Sequence, residues 1–153
     1  MANLHRSVEI WKNKLGKGER VRLPLQSSDL EPWVQAGDTV EFAEARLFNL
    51  HRGDLVLLYS QGQVRLRLLK KRYVTEEGEL FCLRTGKSDD AGTDYGFEDI
   101  VGTAETVRRG SILLWKRGEG LWRLRWRRFW LRKRIRRQDD AVREADFAVR
   151  HNA

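Results

Sequence analysis

The sequence predicts a mainly β protein: a coiled antiparallel sheet or partly closed barrel, with an N-terminal helix and a basic C-terminal helical tail. Three observations carry that expectation. Between Val21 and Leu114 the chain is a succession of short apolar or alternating runs separated by glycine turns. Before them, apolar residues recur at helical spacing, and after them arginine and tryptophan are interleaved.

The first element, over residues 3 to 15, places Leu4, Val8, Trp11 and Leu15 on one helical face, with Gly16 as its stop, and predicts packing against the sheet. The strands expected next are VRLPL, TVEF, LVLL, QVRLRLLKKRYV, ELFCLR, IVGTAETV and SILLW. Gly37-Asp38 and Gly53-Asp54 open TVEF and LVLL. Glycine supplies the positive φ of a tight turn and aspartate bonds nearby backbone, so both pairs are expected in turns rather than facing each other as a catalytic pair. EEGE at 76–79 predicts a hairpin turn, and KSDDAGTDYG at 87–96 a longer polar loop. The units expected are 1–19, a helix and linker; 20–114, the β domain; and 115–153, a basic aromatic extension.

Composition narrows the function classes. No run approaches the ~20 apolar residues of a membrane span. The first twenty residues carry charges throughout, so no secretory leader is expected. One cysteine, Cys82, leaves no internal disulfide, and its place in ELFCLR predicts a buried strand residue. His5, His51 and His151 are scattered without ligand spacing; neither a metal nor a cofactor is expected. These features together predict a cytoplasmic protein, with a peripheral place at the inner membrane surface as the extension of that reading.

The stretch SSDLEPWVQAGDTVEF, followed a dozen residues later by GDLVLL, resembles the serine–lysine peptidase superfamily of type I signal peptidases and LexA-like repressors. The motif of that family is Gly-x-Ser-Met-x-Pro followed by Gly-Asp. Aligned on Pro32, Ser27 stands at the glycine, Leu30 at the methionine and Asp29 at the nucleophile. QVRLRLLKKRYV resembles the strand carrying the family's base, a lysine or a histidine followed by arginine; Arg67 matches that arginine and Leu66 takes the place of the base. Gly86 and Val101-Gly102 match the closing segment, where Lys87 replaces an aspartate. The resemblance spans about residues 20 to 114. It implies a signal peptidase/LexA-like β fold, vestigial positions at Asp29 and Leu66, and no catalytic residues. Without a nucleophile and its base, acyl transfer fails.

Two functions are expected from this reading. The first is a non-catalytic peptide- or protein-binding accessory module, in peptide maturation by resemblance. The alternative is an active peptidase using Ser28, with Lys70 or Lys71 as base, although a one-residue slip along a strand turns the side chain to the other face.

Charge is concentrated near the C-terminal end. Residues 108–137 hold 13 Lys or Arg against one acid, Glu119, so the remainder of a chain of net charge +8 is net negative. In LWRLRWRRFWLRKRIRR a helix sets Trp122, Trp126, Phe129 and Trp130 on one side, with Leu121, Leu124, Leu131 and Ile135 nearly opposite. Trp122, Arg123, Trp126, Arg127 and Trp130 are the candidate binding residues. Such a surface suits packing within an oligomer or onto a protein partner, an anionic membrane surface, or nucleic acid. The oligomeric state is left open.

Overall fold

A computed structural model of the chain describes residues 2–25, 30, 34–87 and 89–119. The segment holding Ser27, Ser28, Asp29, Glu31 and Pro32, and the candidate tail residues from Trp122 to Trp130, lie outside the described residues.

Among the described residues, helix α1 (Ala2–Gly16) precedes eight strands: β1 (Val21–Pro24), β2 (Thr39–Glu44), β3 (Leu55–Ser60), β4 (Gln63–Thr75), β5 (Gly78–Arg84), β6 (Thr93–Gly96), β7 (Ile100–Arg109) and β8 (Ile112–Lys116). All pairs are antiparallel. They form one sheet in the order β1-β2-β7-β3-β4-β5-β6, with β8 joined to β7 off that path. Among the described strands the sheet is not closed, and the mainly β, antiparallel class expected from the sequence holds. Strand β2 runs along one edge of β7, while β3 and β8 share the other edge in tandem, at Ile100–Thr103 and Thr106–Arg109. Register shifts at Glu41/Phe42, Leu57/Leu58, Leu69/Lys71 and Val107/Arg108 bend the strands and increase their twist.

Two cores occupy opposite faces. Along β3, Leu55 and Leu57 enter a core with Val40, Phe42, Leu66, Leu68, Val107 and Trp115, whereas Val56 and Leu58 enter a second with Leu50, Leu69, Phe81, Leu83 and Ile100. Burial on both faces is why LVLL reads as a continuous apolar run instead of alternating. Val8 and Leu15 of α1 close the first core, as the helical spacing predicts. Cys82 is buried on β5.

One expected loop contains a strand. TDYG, inside the stretch expected to be a polar loop, is β6, paired through its backbone to Leu80–Leu83 at the end of the sheet. Its sequence lacks period-two apolar residues because an end strand is half solvated and needs little side-chain burial.

Gly102 sets the distance between helix and sheet. A Cβ there would meet the Ala43 carbonyl oxygen and Leu15 Cδ1, both at 3.1 Å. Gly102→Ala is expected to destabilise the fold by about 1–2 kcal/mol through overpacking. Denaturant melts should show a smaller penalty when the same change is made in a Leu15→Ala background, since one of the two colliding atoms is then gone.

Candidate functional site

The two Gly-Asp turns are structural counterparts. Gly37 and Gly53 take φ of +90° and +94°. Gly37 N–H donates to the Leu25 carbonyl and Leu25 N–H to that of Asp38; Gly53 and Asp54 repeat the pattern with Leu69. Each aspartate then turns its carboxylate back on its own turn. Asp38 Oδ2 accepts from Gln35 N–H at 3.0 Å and Asp54 Oδ2 from His51 N–H at 2.8 Å.

Both carboxylates are buried, and each has its own arginine. Arg109, at the end of β7, bonds Asp38 Oδ1 through Nε at 3.2 Å and Gln35 Oε1 through Nη2 at 2.9 Å. Arg117, just past β8, grips Asp54 with Nε at 3.1 Å and Nη2 at 2.9 Å, and reaches Glu105 Oε1 with Nη1 at 3.2 Å. It also donates to the Asn49 carbonyl. The hydrogen bond to Asp54 raises the pKa of Arg117 above its ordinary value against the opposing effect of burial, with Glu105 adding to the rise. The aspartates therefore sit in separately clamped turns, as the sequence predicts.

A cleft of about 390 Å³ opens beside the second clamp, bounded by His51, Arg52, Asp54, Glu105, Arg117 and Glu119. Two of its three acids, Asp54 and Glu105, are held as ion-pair acceptors by Arg117, an arrangement that orders the turn and the exit of β8. Among the described residues no group of three or more His, Cys, Asp or Glu is placed to hold a metal. Sequence reasoning missed this cleft because the arginine contacts span 63 residues, from Asp54 to Arg117.

The positions implied by the resemblance divide. Leu30, at the motif's methionine, and Leu66, at its base, are both buried and belong to the same core. Asp29 and Ser28 lie outside the described residues. Arg67 is buried and donates to the Leu66 carbonyl at 3.0 Å. The alternative bases are engaged locally: Lys70 Nζ donates to the Ala91 carbonyl at 3.2 Å, and Lys71 Nζ lies 5.6 Å from the centre of the Tyr73 ring. Trp122, Arg123, Trp126, Arg127 and Trp130 fall outside the described residues. No protein-family model matches the chain, and no curated protein matches it.

The loop that receives Lys70 is organised by Asp90. Its carboxylate accepts from the Thr85 N–H and hydroxyl, both at 2.8 Å, and from Gly92 N–H at 2.9 Å. These bonds, the Thr85 backbone first, lower its pKa from 3.8 to about 2. Stability from a depressed carboxylate is present above the unfolded pKa and fades as pH falls through the folded one. Wild type and Asp90→Ala should therefore differ most in stability near neutral pH and converge between about pH 4 and pH 2, as followed by acid melts.

Arg117→Ala leaves the Asp54 carboxylate buried without its cation. We expect a loss of about 3 kcal/mol, with most of it recovered in Arg117→Ala/Asp54→Asn, as measured by denaturant unfolding.

Proposed function

We propose that this chain is a non-catalytic binding module, a signal-peptidase- and LexA-like relative that holds an extended peptide or a protein segment. The observation that carries the reading is Leu66. It stands where the resemblance implies a base, and its side chain is 6% exposed in a core shared with Leu30. An apolar side chain there accepts no proton, while the lysines nearest along β4 have local partners.

Holding a peptide needs only an open sheet edge. The strand order leaves β1 and β6 at its two ends, each paired on one side among the described strands. An extended segment added there gains backbone hydrogen bonds, and side-chain pockets select its sequence.

The test uses the full-length protein with signal-type peptides and a serine-directed acylating probe. Mass spectrometry should find neither cleavage nor an adduct, while backbone amide shifts should mark β1 or β6 on titration. A Ser28 adduct that disappears in Lys70→Ala or Lys71→Ala would restore the peptidase reading. Absence of any peptide-dependent shift would remove the peptide-holding role.

A further inference from the structure

We infer, on the basis of the peptide-holding role proposed above, that β6 is the recruiting edge and that its partner is a basic extended segment of another protein, with Lys or Arg at alternate positions. The two ends of the sheet are not equivalent. Leu25 N–H bonds the Asp38 carbonyl directly opposite, so along the β1–β2 ladder Leu23 and Val21 also turn their backbone groups inward, while Arg22 and Pro24 turn theirs outward. Proline has no N–H, so within β1 Arg22 alone offers an outward donor. A proline there discourages further pairing. β6 carries no such block. Among the described residues it pairs with β5 alone, and all four of its residues keep an N–H, so either alternate set presents two donors and two acceptors.

Side chains set the chemistry of the partner. Asp94 is exposed and accepts from the Tyr73 hydroxyl. A Cβ on Gly96 would fall on the Glu98 carboxylate, so this second acid takes the side-chain place two residues along, on the same face as Asp94. From Asp89 to Asp99 the chain has five acids and no Lys or Arg. Lys70 reaches the Ala91 carbonyl before β6 begins, and Lys71 lies two strands in, against Tyr73. On the opposite face Tyr95 packs against the core of Phe81 and Leu83. An added strand therefore meets carboxylates at alternate positions and an aromatic ring between them. Cross-strand pairing favours Lys or Arg opposite the acids and an apolar residue opposite the ring. A second copy of β6 is the poorer fit, since it would set these acids against their own counterparts.

Amide-resolved titration of the full-length protein with two extended peptides, one alternating Lys with Val and one alternating Glu with Val, tests the assignment. The lysine peptide should shift β6 amides, bind at least about tenfold tighter than the glutamate peptide, and weaken on going from about 0.1 M to 0.5 M salt. Glu98→Lys should reduce that preference and Asp94→Lys/Glu98→Lys should reverse it, with the circular dichroism spectrum unchanged. Equal affinity for the two peptides, shifts confined to β1, or an unchanged preference in the folded variants overturns the inference and leaves strand recruitment standing. So does a failure of both peptides where signal-type peptides still shift amides; failure of all three removes the recruiting role as well. Protection of all four β6 amides from hydrogen exchange in the free protein also overturns the inference, because the edge is then already covered by this chain or a second copy.

Discussion

A buried carboxylate must be paired, and two such carboxylates fix how this sheet is assembled. Asp38 and Asp54 each bond the backbone of their own turn, so each turn starts its following strand at a defined residue. Arg109 and Arg117 then tie those starting points to β7 and to the chain leaving β8. Strands β2 and β3 are thereby held on opposite edges of β7, with Thr39 opposite Arg108 and Val56 opposite Thr103. A slip of either strand by one residue would exchange its two faces and also pull an aspartate from its arginine. Apolar burial and ion pairing thus select the same register, and their agreement is what makes one arrangement preferred.

Much of this was legible in the chain because it depends on local chemistry. Apolar runs marked seven strands, the spacing of Val8 and Leu15 marked the buried side of α1, and glycine with aspartate marked the two turns. Strand β6 was not legible: TDYG has turn-like composition, and its strand character comes from pairing with β5. The degree of closure was no easier to read, since it depends on accumulated twist and bulges instead of any single residue. The clamps were half legible. Both aspartates were visible as turn residues, but nothing near Asp54 in the sequence indicated that Arg117 would reach it from the end of β8 along the same edge of β7.

The same division holds for the candidate site. The burial of Leu66 beside Leu30 follows from the alternation of β4, which sends Leu66 and Leu68 to one face and Leu69 to the other. The engagement of Lys70 was hidden, because the bulge between Leu69 and Lys71 interrupts the alternation from which its direction would be read. Its partner, Ala91, lies in a loop whose shape depends on Asp90 accepting from Thr85 and Gly92.

An apolar residue at position 66 makes different demands on the surrounding fold than a proton-transferring group would. A working base needs a cavity, a neighbour that tunes its pKa and tolerance of a partly desolvated charge. Leu66 needs none of these and contributes its side chain to the core that also receives α1 and Trp115. Packing there needs neither strain nor solvent access, and the end strands β1 and β6 are each paired on one side among the described strands. Core packing at Leu66 and one-sided pairing of the end strands are therefore compatible within one packing solution, and the ionic clamps at the two turns hold the frame that both share.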